Sequence, residues 1–205
     1  MLKARIAVLV SGGGTNLQAL LDAQRNGILN SGKIVLVVAS NTGAYALERA
    51  KNAGVDALAL PKKELGQARF EAALQSALEE QQIDLIVLAG FLSILSEEFT
   101  KKWPNRIINI HPSLIPSFCG KGYYGLKVHE AALSYGVKVT GATVHFVNEV
   151  PDGGRIICQK AVEIEAGDTP ETLQRRVMEE AEWKLLPQAA EMVSAEIITG
   201  KEHAK

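Results

Sequence analysis

The chain has 205 residues, of which 47% are hydrophobic and 22% are charged, and its formal net charge at pH 7 is −1. A chain of this length can bury a sizeable core without disulfides or metals. It lacks the clustered basic residues that a nucleic-acid partner requires, so no nucleic-acid partner is expected.

The cysteines and the hydropathy of the sequence indicate the cellular environment that we expect for the protein. The two cysteines, Cys119 and Cys158, are far apart and have no metal-ligand spacing, so we expect no metal site and a reducing, cytoplasmic environment. The amino terminus runs directly into a strand pattern, so no signal peptide is expected. The longest apolar run, at residues 85–92, is far too short to span a bilayer, so no membrane partner is expected.

A glycine loop follows the first predicted strand. The apolar residues 5–10 lead into residues 11–16, and leucines at helical spacing begin at Leu17. This order of strand, glycine loop and helix lets backbone N–H groups bind a phosphate. The loop matches neither the Walker pattern nor G-x-G-x-x-G, so a single phosphate is favoured over a dinucleotide. The alternative is that Thr15 and Asn16 only cap the helix.

Strands and helices then alternate up to residue 111. Further strands are predicted at residues 33–39, 56–60, 83–89 and 106–111, and helices at 45–53, 67–81 and 96–101. This alternation predicts a parallel sheet with helices on both faces, whose ligands bind beyond the carboxyl ends of the strands. The apolar loop 90–95 lies at one such end, where it either packs on the core or lines a pocket for a flat ligand.

The strand at 106–111 ends in a pair of polar residues. Asn109 and His111 are two positions apart, so their side chains share one face of the strand, and Pro112 ends it. An amide that can stabilise an oxyanion, beside an imidazole that titrates near neutrality, suits acyl transfer. The alternative is a polar pair that caps a turn.

A long irregular loop, residues 112–125, separates this strand from the rest of the chain. Loops of this length are usually functional or mobile. Its tyrosines, Tyr123 and Tyr124, either cover the site or pack over the core. The helix predicted at 126–135 contains His129, which we interpret as an ordinary helix position.

The carboxy-terminal third is predicted to form two strands and a long helix, at residues 138–147, 156–164 and 169–194. The two strands should form a hairpin that closes the sheet, with Thr143 and His145 on one face. We expect the helix to break near Pro187 and residues 200–205 to fray.

Two motifs resemble those of the folate-dependent formyltransferase family. Residues 109–116, Asn-Ile-His-Pro-Ser-Leu-Ile-Pro, are similar to the family signature, and residues 141–147 followed by Asp152-Gly153-Gly154 extend the match. The glycine loop 11–16 resembles that of the members that formylate glycinamide ribonucleotide in purine synthesis. The resemblance covers residue 6 to about residue 187.

The resemblance implies one formyltransferase domain over residues 1–205, with a doubly wound, mostly parallel, Rossmann-like α/β sheet. An antiparallel carboxy-terminal hairpin and a long terminal helix complete this expected fold. Residues 1–111 would form the half that binds the nucleotide phosphate, and residues 112–205 would complete the folate and catalytic site.

The resemblance also implies a catalytic set made of Asn109, His111 and Asp152. The substrate amine would attack the formyl carbon of 10-formyltetrahydrofolate, the co-substrate, while Asn109 and a protonated His111 donate to the oxyanion. Asp152 would raise the pKa of His111 and help to move the proton. Thr143 and His145 are expected to support this set; for His145, a satisfied strand histidine is the open alternative.

Binding residues follow from the same motifs. Gly14, Thr15 and Asn16 are expected to bind the ribonucleotide phosphate, and Glu182 the ribose hydroxyls. Folate-binding residues are expected at Leu92, Ser93, Ile94, Leu95, Asn109, Asn148, Glu149, Val150, Pro151 and Asp152. Ser93 stands where other members carry arginine. Some members carry a further arginine before the loop 90–95, and Arg69 is the candidate for it here. The expected partners are the two small-molecule substrates, with the chain as a monomer or homodimer.

Three alternatives compete with this interpretation. Formyltetrahydrofolate hydrolases share the chemistry but use water and carry an extra amino-terminal domain. Methionyl-tRNA formyltransferases carry an extra carboxy-terminal domain and a basic face, and we expect this chain to lack both. A non-catalytic module that binds a phosphorylated metabolite would explain the glycine loop, but it would leave Asn109, His111 and Asp152 unexplained.

Overall fold

A computed structural model describes residues 2–203 of the chain. The strands are β1 Ala4–Val10, β2 Gly32–Ala39, β3 Asp56–Ala59, β4 Leu85–Leu88, β5 Ile107–His111, β6 Val139–Phe146 and β7 Ile156–Glu163. The helices are α1 Thr15–Arg25, α2 Ala46–Asn52, α3 Lys62–Glu80, α4 Glu97–Lys102, α5 Leu126–Tyr135, α6 Pro170–Val177 and α7 Trp183–His203. A π-helical turn, Met178–Glu182, joins α6 to α7.

All seven strands form one sheet in the order β3-β2-β1-β4-β5-β6-β7. The strands from β3 to β5 pair in parallel, whereas β5 with β6 and β6 with β7 pair antiparallel. The predicted doubly wound sheet with a carboxy-terminal hairpin is therefore confirmed.

Helices cover the sheet on both faces. Phe70, Leu74 and Leu78 of α3 are fully buried against one face, at the four-residue spacing that predicts an amphipathic helix. Helices α1 and α7 pack on the other face, where Leu17 and Ala190 belong to the same buried cluster. The central strands carry almost only apolar residues because both of their faces are covered.

The structure adds a turn to one predicted helix and moves the predicted break in another. Helix α3 includes a first turn from Lys62, but Gly66, where φ is 73°, separates this turn from the main helix, whose start agrees with the predicted start at residue 67. The terminal helix is not broken at Pro187, which lies within α7. The irregularity precedes it, at the π-helical turn, where the regular hydrogen-bond ladder is already interrupted.

Helix α7 also continues beyond Gly200 to His203, so the predicted fraying is wrong for those residues, and residues 204–205 lie outside the described residues. None of the helices described between residues 2 and 203 is both long and apolar enough to cross a membrane.

Candidate active site

The carboxyl ends of β1, β4 and β5 open into a cavity of about 650 Å³. Strand order reverses between β1 and β4, so the connections from these neighbouring strands diverge and leave a crevice. Most of the predicted site residues line it: Thr15, Asn16, Leu92, Ser93, Ile94, Leu95, Asn109, His111, His145, Asn148, Glu149, Pro151, Asp152 and Glu182. The fold thus brings together residues from both halves of the chain.

Three predicted residues do not line the cavity. Gly14 is the N-cap of α1, with φ of 73°. The Thr143 hydroxyl donates to Ser113 O at 2.6 Å, so it supports the segment that follows β5. Val150 is 54% exposed at the tip of its turn.

At one end of the cavity lie Asn109, His111, His145 and Asp152, which we call the transfer end. Antiparallel pairing places Asn109 directly opposite His145. The His145 Nδ1–H donates to Phe146 O at 2.8 Å, so Nε2 is the ring nitrogen that faces Asn109 and Asp152. Asn109 Nδ2 donates to that nitrogen at 3.2 Å, which orients the amide.

The Asp152 carboxylate lies between the two histidines. Its Oδ2 is 3.6 Å from His111 Nδ1 and its Oδ1 is 3.5 Å from His145 Nε2. The Gly120 N–H also donates to Oδ2, at 2.8 Å. Burial alone would raise the pKa of Asp152, but the Gly120 N–H and the two imidazoles in their protonated forms favour the carboxylate, and the net pKa lies below its usual value. Asp152 is therefore ionised at neutral pH.

His111 is buried, and its Nε2–H donates to Phe118 O at 2.9 Å. Burial lowers the pKa of His111 below its usual value and outweighs the raising effects of the Asp152 carboxylate and the Phe118 carbonyl. Asp152 thus raises the pKa of His111, as predicted, but the net shift of this pKa is downward. Protonation of His111 as the oxyanion forms stays a prediction.

The loop that follows β5 closes over the transfer end. Tyr123 and Tyr124 line the cavity, which decides between covering the site and packing over the core. Lys121 and Lys127 also line the cavity, and no other lysine among residues 2–203 does so. Arg69, the candidate for the arginine that some family members carry before the loop 90–95, is exposed and lies outside the cavity lining.

His129 was not predicted to belong to the site, but it lines the cavity from α5. Its side chain is 0% exposed, and within residues 2–203 neither ring nitrogen has a hydrogen-bond partner. Burial, aided by the nearby His111, lowers the pKa of His129 to about 4. A single histidine at an ordinary helix position has no spacing signal that could have revealed this placement.

Thr15, Asn16 and Glu182 line a second part of the cavity. Together with the adjoining loop and helix residues 12–17, they form what we call the phosphate end. Gly14 caps α1 without a side-chain hydrogen bond, and Thr15 and Asn16 lie inside the helix, so the alternative that they cap it is wrong. In the described part of the chain, the backbone N–H groups of residues 12–17 make no hydrogen bond. These N–H groups and the helix N-terminus are available to an anion.

Glu182 joins the two halves of the chain at this end. Asn16 Nδ2 donates to Glu182 Oε2 at 2.7 Å across 166 residues of sequence. Glu182 is 6% exposed, and burial raises its pKa to about 7, against the lowering effect of the Asn16 hydrogen bond. Glu182 ends the π-helical turn, a feature that frequently marks functional sites.

Comparison with known proteins identifies the family of the chain. The family model described as formyl transferase matches residues 4–190. The chain therefore belongs to the formyl transferase family. It is similar to the chloroplastic phosphoribosylglycinamide formyltransferase of Arabidopsis thaliana, with 39% identity over 98% of this chain and 68% of the relative.

A solved structure shows the same likeness. Glycinamide ribonucleotide transformylase 1 from Symbiobacterium toebii superposes with a TM-score of 0.87 and 44% identity, over 95% of this chain and 89% of that one. The human trifunctional purine biosynthetic protein adenosine-3 is 45% identical over 99% of this chain. The chain spans about a fifth of the length of that relative.

Proposed function

We propose that this chain transfers the formyl group of 10-formyltetrahydrofolate to the amine of glycinamide ribonucleotide, yielding formylglycinamide ribonucleotide and tetrahydrofolate. This is the phosphoribosylglycinamide formyltransferase reaction (EC 2.1.2.2) of de novo purine synthesis. One observation carries the proposal: a single cavity has free backbone N–H groups at one end and Asn109, His111, His145 and Asp152 at the other. Its ends suit a phosphorylated acceptor and an acyl donor.

The proposed transfer begins when the acceptor amine attacks the formyl carbon. The C=O bond becomes a single bond, and the formyl oxygen becomes an oxyanion. Asn109 Nδ2 and His111 Nε2–H are the donors placed to stabilise that oxygen. His111 now donates to Phe118 O, so the substrate oxygen has to replace this carbonyl. The required movement supports a role for the loop after β5 in each turnover.

Proton transfer completes the reaction. The ionised Asp152 is the base placed to accept a proton from the attacking nitrogen, directly or through a water molecule. That proton then passes to the folate nitrogen as its bond to the formyl carbon breaks. Negative charge on Asp152 also favours protonation of His111 as the oxyanion forms.

At the phosphate end, the free N–H groups of residues 12–17 would bind the ribonucleotide phosphate. Glu182 would accept hydrogen bonds from the ribose hydroxyls. On the folate side, the exposed Leu92 and Ile94 offer an apolar surface to a flat ring, and Lys121 and Lys127 are cations available to a carboxylate.

The remaining assignments of the whole protein stay predictions. We propose that the chain acts as one domain, which is supported by a sheet that continues from β5 into β6 across the two halves. The free thiols of Cys119 and Cys158 suit the predicted cytoplasmic setting, although the similar plant protein is chloroplastic by name. A monomer or homodimer is expected.

The test is to incubate the protein with 10-formyltetrahydrofolate, with and without glycinamide ribonucleotide, and to follow both products by mass spectrometry. We expect tetrahydrofolate and formylated ribonucleotide in equal amounts, and neither without the acceptor. Arg69→Ala, outside the cavity, is the matched control and should behave as the wild type. Folate turnover that ignores the ribonucleotide would indicate a hydrolase, and no turnover would indicate a binding module.

A further inference from the structure

The glycine loop between β1 and α1 is braced by the segment that runs from the end of β2 into α2. Three successive loop carbonyls each accept one hydrogen bond from that segment. The pairs are Asn41 Nδ2 to Ser11 O at 2.6 Å, Ala46 N–H to Gly12 O at 3.2 Å, and Arg49 Nε to Gly13 O at 2.8 Å.

These hydrogen bonds determine where the loop N–H groups point. A peptide unit is planar and trans, so its C=O and the following N–H point in opposite directions. Carbonyls 11–13 are held toward α2, and the N–H groups of residues 12–14 therefore face away from α2. Fixing the carbonyls on the α2 side also moves three negative dipole ends away from any anion bound by these N–H groups.

Arg49 contacts other groups in addition to the loop carbonyl. Its Nη1 donates to Gln18 Oε1 at 2.9 Å, so one guanidinium holds both the loop and the first turns of α1. The guanidinium also lies over the Tyr45 ring, 5.1 Å from its centroid. A lysine has one nitrogen and cannot make this planar, two-partner arrangement.

The contact between loop and helix is close enough to constrain the sequence. A Cβ on Gly14 would lie 2.7 Å from Ala46 Cβ, so only glycine permits α2 to approach this far. Gly12 and Gly13 have no atom within 4 Å of an added Cβ, which leaves their outer side open to a ligand. The loop is thus packed on the α2 side and accessible on the cavity side.

We propose that Arg49 is a positioning residue for phosphate recognition: by holding Gly13 O toward α2, it keeps the loop N–H groups facing the phosphate of the ribonucleotide. The inference rests on the proposed function and adds to it a residue of α2 that does not line the active-site cavity. Arg49 acts through the loop and is not a catalytic residue.

The experiment compares Arg49→Ala with wild type in steady-state assays. Loss of a hydrogen bond from a charged donor predicts a KM for glycinamide ribonucleotide that is about tenfold to a hundredfold higher. The KM for 10-formyltetrahydrofolate and kcat should change less than about twofold, because the transfer end is untouched. With glycinamide riboside, which lacks the phosphate, the variant and the wild type should have the same kcat/KM.

Inorganic phosphate provides a readout that does not depend on catalysis. Phosphate raises the thermal midpoint of a protein that binds it in the folded state, and this shift should be smaller for Arg49→Ala than for wild type. Lys51→Ala is the matched control, since Lys51 is an exposed cation of the same helix without a hydrogen bond to the loop. It should leave the KM and the phosphate shift unchanged.

Several outcomes would overturn the proposal. Equal effects of Lys51→Ala and Arg49→Ala, or full rescue by Arg49→Lys, would mean that charge rather than positioning matters. An unchanged preference for ribonucleotide over riboside in Arg49→Ala would also contradict it. If Arg49→Ala does not fold, Arg49→Gln replaces it with the same criteria. Absence of formyl transfer in the wild type would instead refute the proposed function.

Discussion

The two ends of the cavity obtain their hydrogen-bond donors in different ways. The phosphate end uses backbone N–H groups, whose direction is set by carbonyls bound to α2. The donors of the transfer end are the side chains of Asn109 and His111, and the Asp152 carboxylate beside them is an acceptor; His145 and the loop after β5 orient these groups. Backbone donors do not titrate and need no rearrangement, whereas the side chains can exchange a proton with a substrate. The difference matches static binding at one end and chemistry at the other.

Two buried titratable groups, Glu182 and His129, also line the cavity, and burial disfavours the charged form of each. Burial raises the pKa of Glu182 to about 7 and lowers the pKa of His129 to about 4, because in both cases it disfavours the charged form. The effects on stability have opposite signs. Between pH 4.5 and 7 a rise in pH costs stability through Glu182, and between pH 4 and 6.5 it restores stability through His129.

The largest expected effect comes from Asp152→Asn, which removes the charge of the transfer end but keeps the size of the side chain. Loss of the base should lower kcat by about 10²–10⁴-fold, with little change in the KM for the ribonucleotide. Steady-state kinetics together with a thermal unfolding curve measure this. Full activity in a folded variant would remove Asp152 from the mechanism.

A smaller effect is expected from His129→Met, an apolar replacement. In the wild type, the His129 contribution to stability should fall as the pH falls from 6.5 to 4, since the unfolded chain binds a proton that the buried ring does not. Glu182 contributes in the opposite direction in both proteins, so it does not affect the comparison. The His129 contribution to the free energy of unfolding amounts to up to about 3 kcal/mol, and the variant should not show it. Urea unfolding at several pH values measures it, and an identical pH slope in both proteins would show that His129 is not held neutral.

The smallest effect is expected from Glu182→Gln at the phosphate end. With a pKa of about 7, Glu182 is mostly protonated at pH 6, so the wild-type KM for the ribonucleotide should be up to about tenfold higher there than at pH 8. The glutamine variant should not show the increase in KM that protonation of Glu182 causes. Titrating groups of the ligand are the same for both proteins, so parallel pH profiles would exclude Glu182 from ribose recognition.

Much of the site could be predicted because its signals are local. The glycine loop follows a strand and precedes a helix, and the same-face pair Asn109 and His111 is a consequence of two-residue spacing on β5. The turn that carries Asp152 was identified only by its resemblance to a family. The roles of the glycine loop, Asn109 and His111 could be predicted because they depend on residue type and on the neighbouring residues in the sequence.

Tertiary structure decided what depends on contacts between distant segments. The hydrogen bond from Asn16 to Glu182, the burial of His129 and the net pKa shift of His111 all follow from packing between elements remote in sequence. The brace from α2 to the glycine loop likewise has no local pattern. The sequence by itself determined which chemical groups stand at each strand end, and packing decided their partners and charge, because burial and distance are properties of the assembled fold.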